Sequence, residues 1–337
     1  MIVGKFDGFF IGGCDRSGTS LLQCMLNAHP NILITHEVAA AVTWHGKYGR
    51  MGPEQASGMI TALTKDERFI GVTPDMVWQE LADRPATFAN VLSAVYRSLA
   101  AIRGKRLWGD KSPRYCLHFG FLAETFPQSA LVHIYRDPRA VAYSLIRQSW
   151  GPDTAYHAAL HWQECVQHGL NEGRLIGPAR FLNVCYEALV SDPSGQLERI
   201  CLFLGVDMDR RMLDVRNQEE GLVPAVRDFH PLIGQPITTQ QIDKWKRLPA
   251  RDIAAIEAIC GKLMDELGYE QVSGKGERGV SFGGRLFFGI QARCRRFRRR
   301  MNSVISRARK LHPPSAGRQC RLSVQQRDAV SSSGQKE

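Results

Sequence analysis

Phe9-Phe10-Ile11-Gly12-Gly13-Cys14-Asp15-Arg16-Ser17-Gly18-Thr19-Ser20-Leu21-Leu22 is the stretch from which the rest of the chain is read. Its apolar start, over 8–12, reads as a buried strand, and the Leu- and Met-bearing segment over 18–27 as a helix. Between them lies a short polar loop with a glycine at each end. The first N–H groups of a helix have no partner within it, and that end carries positive partial charge, so such a loop suits a phosphate. Gly13 and Gly18 even have the spacing of a nucleotide phosphate loop. The lysine that should follow the second glycine is Thr19, so the γ-phosphate clamp is missing. Arg16 supplies the positive charge from inside the loop instead.

Outward from this loop, apolar runs alternate with helix-length segments, which is the pattern of an α/β fold: a parallel sheet flanked by helices. Strands are expected over 8–12, 32–35, 106–109, 130–135 and 180–185. Helices are expected over 18–27, 113–125, 138–148, 194–204 and 251–267, the last stopped by Gly268. Residues 53–103 read as helices without a strand, an insertion or lid. A second anion anchor follows the strand Ala130-Leu131-Val132-His133-Ile134-Tyr135. Arg136 stands at its end, where ligands of open α/β sheets bind, and Ser144 two helical turns later reaches the same region. The planar guanidinium of Arg136 pairs with phosphate oxygens two at a time.

The two anchors, in this order and at this distance, resemble the PAPS-dependent sulfotransferases, which use 3′-phosphoadenosine 5′-phosphosulfate (PAPS). Arg16-Ser17-Gly18-Thr19-Ser20 resembles their 5′-phosphosulfate loop, and Arg136 with Ser144 their 3′-phosphate site. His29-Pro30-Asn31 followed by Glu37 is similar to the branch that holds protein-tyrosine sulfotransferases and many bacterial sulfotransferases. Asp110-Lys111-Ser112-Pro113, Tyr186-Glu187-Ala188-Leu189, and Gly234-Gln235-Pro236-Ile237 followed by Lys244-Trp245 extend the resemblance over most of 8–268. It implies a P-loop-like sulfotransferase fold and PAPS as sulfuryl donor. Glu37 would be the catalytic base, with His36 as its rival. Tyr186 would lie near the adenine and Lys244 in the late loop that folds over the cofactor. Lys111 is assigned to the bridging oxygen between sulfur and phosphorus. Tyr186 and Trp245 also fit as core aromatics.

The resemblance implies a hydroxyl compound as acceptor. In the tyrosine-sulfating relatives an arginine two residues after the base helps hold an acidic peptide, and here that position is Ala39, followed by Ala40 and Ala41. A glycan, glycolipid or small hydroxyl compound is therefore expected, with tyrosine sulfation and nucleotide-dependent phosphoryl transfer as alternatives.

The 337 residues carry a net charge of +11, but unevenly. Residues 271–337 hold sixteen Lys/Arg against three acidic residues, whereas 1–270 hold 28 against 30. This divides the chain into a sulfotransferase domain (1–270), a linker (271–284), a basic amphipathic helix (285–312) and a disordered tail (313–337). In the helix, Phe287, Ile290, Cys294, Phe297, Met301, Val304, Ala308 and Leu311 recur at steps of three and four. A continuous apolar stripe flanked by arginines suits an anionic membrane surface better than nucleic acid, and no nucleic-acid partner is expected. The same spacing leaves open a homodimer through a short coiled coil. No run is long enough to span a membrane, and Lys5 and Asp7 break up the N-terminus as a signal peptide. Nine cysteines without a CxxC pair predict neither disulfides nor a metal site, hence a reduced, cytoplasmic protein, which the basic helix would bring to the membrane periphery.

Overall fold

β1 (Gly8–Gly12) runs through the middle of a five-stranded, all-parallel sheet in the order β2-β3-β1-β4-β5. In this computed structural model the residues described are 6–35, 40–48, 53–214, 237–274, 281, 283–284 and 286–295. β2 (Ile32–Thr35), β3 (Leu107–Lys111), β4 (Ser129–Tyr135) and β5 (Phe181–Cys185) complete the sheet. Every residue of β1 is buried, as expected of a parallel strand covered on both faces. Register aligns Phe10 with Asp110 on one side and with Leu131 on the other.

Two cores follow from the alternation of side chains across the sheet. Phe9 and Ile11 join Leu22, Met25, Ile134, Val184 and Leu197 beneath α1 (Thr19–Asn27), α9 (Tyr186–Ser191) and α10 (Pro193–Leu204). Phe10, Trp108 and Leu131 face the larger core, built with α5 (Phe88–Ile102), α7 (Pro138–Leu145), α8 (Ala155–Ile176) and α11 (Ala250–Glu266). The expected insertion over 53–103 holds α3 (Pro53–Thr64), a 3-10 turn (Glu67–Phe69), α4 (Pro74–Leu81) and α5, and α2 (Ala40–Tyr48) precedes it. Its entries are written locally. Thr73 caps α4 through Met76 N–H, and Thr87 caps α5 through Asn90 N–H.

Three details differ from the sequence reading. The segment over 113–125 is a 3-10 turn (Pro113–Leu117) followed by a short α6 (Phe119–Thr125), the two parted at His118, whose extended φ of −139° interrupts the helix. The 22-residue α8 was not foreseen; it starts where Thr154 caps His157 N–H and packs along α11. At the head of the expected linker, Val272 and Ser273 N–H groups bond the Glu257 carboxylate of α11. Residues 286–295 are helical. Phe288 and Ala292 are buried, with Phe288 stacked on Tyr156, whereas Phe287, Ile290 and Cys294 of the predicted stripe remain exposed.

Candidate active site

In this topology the connections leaving β1 and β4 part to opposite sides of the sheet, which opens a crevice at their carboxyl ends. The predicted site residues sit there strand by strand. Arg16 follows β1, Lys111 is the last residue of β3, Arg136 follows β4 and Tyr186 follows β5. Glu37 would follow β2 by two residues, but 36–39 lie outside the described residues, as do Gly234, Gln235 and Pro236.

The loop after β1 is tight. Ser17 N–H bonds the Cys14 carbonyl at 3.0 Å, and Arg16 has φ +69°, a left-handed conformation that costs a non-glycine residue about 1 kcal/mol or more. Gly13 passes so close to β4 that a Cβ would lie 2.2 Å from the Ile134 carbonyl oxygen. At Gly18, with φ +97°, a Cβ would lie 2.4 Å from the Tyr186 ring. α1 then starts without a side-chain cap and without an acidic residue in its first turn. The first turn of a helix points N–H groups away from its own hydrogen-bond ladder, and at this position that end suits an anion.

The two arginines are joined through this loop. Arg16 Nε donates to Ser144 Oγ at 3.0 Å. Arg136 Nη1 donates to the Arg16 carbonyl at 3.3 Å and Nη2 to the Gln241 carbonyl at 2.7 Å. The Arg136 guanidinium lies 4.2 Å over the Tyr186 ring, and burial pushes the Tyr186 phenol above its ordinary value. Ser17 Oγ and Arg136 Nε are buried with no hydrogen-bond partner among the described residues. Unpaired buried donors are costly, so a site that carries two of them beside an uncapped helix start fits phosphate oxygens.

Lys111 is fully buried and its ammonium reaches Ser20 Oγ at 3.3 Å, which brings a cation to the first turn of α1. Its neighbour Asp110 points to the other face of β3. There the Asp110 carboxylate accepts the hydroxyls of Tyr96, at 2.8 Å, and Tyr115. Burial raises Asp110 to about 6 even though both hydroxyls and Lys111 pull it down. Lys244 is half-buried on the short turn Asp243–Arg247. The adjacent Trp245 is a core aromatic, 3.8 Å beneath the Arg139 guanidinium. Arg139 itself is held between Asp137 and Glu257, both at 2.7 Å, which fixes the start of α7 behind Arg136.

Sequence reasoning missed two sets of residues. Trp162 Nε1 of α8 donates to the Arg136 carbonyl at 2.8 Å, and Gln241 lends its own carbonyl to the guanidinium; neither has a local motif. The second set contradicts the expectation that no ligand cluster exists. Cys14, His161 and Cys165 place ligand atoms within 4.8 Å of one another, with Cys116 hydrogen-bonded to Cys165. Hydrogen bonds from Cys116, Cys14 and His161 hold the Cys165 thiol far down, and the Asp15 carboxylate raises the His161 imidazole to about 10. The available signal was the i, i+4 spacing of His161 and Cys165, which puts both on one helix face.

An open parallel sheet whose central strand feeds a glycine-bounded loop and a helix, with a second arginine at the neighbouring strand end, is a P-loop-like α/β fold with a crevice suited to an anion. The chain belongs to the sulfotransferase family, whose profile matches residues 8–210. It is 24% identical over 276 residues to protein-tyrosine sulfotransferase A of Caenorhabditis elegans, covering 77% of this chain and 67% of that protein. It is 33% identical over 181 residues to the omega-hydroxy-beta-dihydromenaquinone-9 sulfotransferase Stf3 of Mycobacterium bovis, covering 48% of this chain and 41% of that one. The chain thus spans from about two fifths to two thirds of these relatives' lengths. Among solved structures it is similar to the sulfotransferase domain of a Synechococcus olefin synthase, with a TM-score of 0.58 and 28% identity over 78% of this chain and 94% of that domain.

Proposed function

We propose that this chain transfers a sulfuryl group from PAPS to the hydroxyl of a glycan, a glycolipid or another small compound. The observation behind it is the pair of arginines on one rim, Arg16 tied to Ser144 and Arg136 tied to the Arg16 carbonyl, with Ser17 Oγ and Arg136 Nε unpaired among the described residues. Arg16, the Ser17 hydroxyl and the N–H groups of Gly18, Thr19 and Ser20 would hold the 5′-phosphosulfate; the Ser17 N–H, expected to join them, is taken by the Cys14 carbonyl. Arg136 and Ser144 would hold the 3′-phosphate that separates PAPS from ATP.

The reaction is an in-line displacement at sulfur. A bond forms from the acceptor oxygen to sulfur, and the bond from sulfur to the bridging oxygen breaks. Glu37 takes the acceptor's proton, and the electron pair leaves with adenosine 3′,5′-bisphosphate. Lys111, fully buried at Ser20, would meet the charge that develops on the bridging oxygen.

Two observations bear on the acceptor. Similarity to Stf3, named for a hydroxylated dihydromenaquinone, favours a small or lipid-linked hydroxyl. Ala39-Ala40-Ala41 offers no cation after the base for an acidic peptide. Similarity to protein-tyrosine sulfotransferase A keeps tyrosine sulfation as the second reading. A cytoplasmic place at an anionic membrane surface belongs to the same proposal. Phe288 and Ala292 are buried and Phe287 lies 4.5 Å beneath the Arg251 guanidinium, while Ile290 and Cys294 are exposed, and this exposed apolar edge supports the reading.

Incubation with labelled PAPS, or with labelled ATP, against a panel of glycans, glycolipids, small alcohols and tyrosine peptides tests the proposal. Label should pass from PAPS to a non-peptide hydroxyl. Transfer from ATP alone would refute the donor, and transfer only to tyrosine would refute the acceptor class.

A further inference from the structure

Next to the phosphate loop lies a group of side chains that the transfer reaction does not use. Cys14 is the second residue past β1, Cys116 is in the turn after β3, and His161 and Cys165 are one turn apart on α8. Cys14, Cys116 and Cys165 are buried, and the His161 side chain is 33% exposed, which leaves a path from solvent. The Cys165 sulfur lies 3.9 Å from His161 Nδ1 and 3.8 Å from Nε2. Ligand bonds of about 2.3 Å to sulfur and about 2.0–2.1 Å to nitrogen set a tetrahedral S···N edge of about 3.6 Å. The ligand atoms of Cys14, His161 and Cys165, all within 4.8 Å of one another, therefore need only small shifts to share one ion.

We propose that Cys14, His161 and Cys165 form a binding site for a soft divalent cation, zinc in the first instance, with Cys116 as the fourth ligand. Thiolate and imidazole donors without a coordinating carboxylate select zinc over magnesium or calcium. His161 would bind through Nδ1, because Nε2 is engaged: it lies 3.2 Å from Asp15 Oδ2. A carboxylate on the far nitrogen of a ligating histidine fixes the ring and raises its basicity. Asp15 is thus a positioning residue, placed one residue before Arg16.

The site joins the phosphate loop to α8. Cys14 precedes the strained Arg16 and accepts Ser17 N–H through its carbonyl, so an ion held here pins both ends of the bend that carries the arginine. A structural zinc beside the donor loop would make loop order, and with it thermal stability, depend on metal.

The test is a titration of the full chain, stripped with chelator and kept reduced, with Co2+ alone. One equivalent should give a thiolate-to-cobalt charge-transfer band and the intense ligand-field bands of a tetrahedral ion, and Zn2+ should erase them. Cys165→Ser and His161→Ala should lose these bands, the latter at a half-exposed position where folding is readily confirmed by circular dichroism. Asp15→Asn should keep the band shape but weaken affinity about 10- to 100-fold. Cys294→Ser, which removes an exposed thiol outside the cluster, should leave the titration unchanged. Wild-type protein without these bands, or His161→Ala and Cys165→Ser with wild-type titrations, would overturn the proposal.

Discussion

Gly18→Ala tests how the two anchors depend on each other. Gly18 has φ +97°, and its missing Cβ would lie 2.4 Å from the Tyr186 ring. The left-handed backbone alone costs alanine about 1–2 kcal/mol. The overlap with a packed ring adds about 1–3 kcal/mol, so the variant should lose about 2–5 kcal/mol of a stability on the order of 5–15 kcal/mol. Urea unfolding should show a lower midpoint with an unchanged slope. Tyr186 must move to relieve the overlap, and it carries the Arg136 guanidinium at 4.2 Å. A lost cation–π contact of about 0.5–2 kcal/mol corresponds to about 2- to 30-fold weaker binding of adenosine 3′,5′-bisphosphate by calorimetry. In a double-mutant cycle, Tyr186→Ala should remove the steric share of the Gly18→Ala cost and leave the backbone share, a coupling of about 1–3 kcal/mol. A Gly18→Ala protein within about 0.5 kcal/mol of wild type, with unchanged affinity, would refute the geometry of both anchors.

Arg16→Ala and Arg136→Ala should each weaken adenosine 3′,5′-bisphosphate by about 10- to 150-fold, the loss of one charge-assisted bond of about 1.5–3 kcal/mol to a buried phosphate; calorimetry decides. Glu37→Gln should abolish turnover and leave binding of the bisphosphate within about twofold, since a base acts on the acceptor rather than the nucleotide; retained activity would move the role to His36. Asp110 is raised from 3.8 to about 6 on folding, so the folded state holds its proton longer and stability falls as pH rises from about 4 to 6. Asp110→Asn should remove that fall, seen as a flatter pH profile of urea midpoints, with a difference at neutral pH of up to about 3 kcal/mol. The full chain should float with anionic vesicles while a chain ending at Gly274 should not; equal behaviour of the two would remove the membrane proposal and leave the catalytic one untouched.

Much of the fold was legible because it is written locally. An all-buried β1 and a glycine-bounded loop into a Leu-rich helix need no partner to be recognised, and four strand ends carry Arg16, Lys111, Arg136 and Tyr186 one after another. What escaped was either long and mixed in pattern or dispersed. α8 carries polar residues and glycines through its length, because Gly169 and Gly173 let His133 and Phe181 approach, so its apolar face is broken in sequence. Trp245 was ambiguous until Arg139, more than a hundred residues away, was seen to lie on its ring.

The sequence by itself determined the parallel α/β class and the places of Arg16 and Arg136 directly after β1 and β4, since backbone dihedrals, helix starts and strand burial are properties of short segments. Only the tertiary structure decided which side chains share a site. Sheet order places β1 between β3 and β4, and that adjacency ties Arg16 to Ser144 and sets Lys111 against Ser20. The same adjacency, with α8 laid across it, gathers Cys14, Cys116, His161 and Cys165 from three parts of the chain. Spacing rules detect ligands that neighbour one another along the chain, and these become neighbours only when strands pair and a helix packs across them.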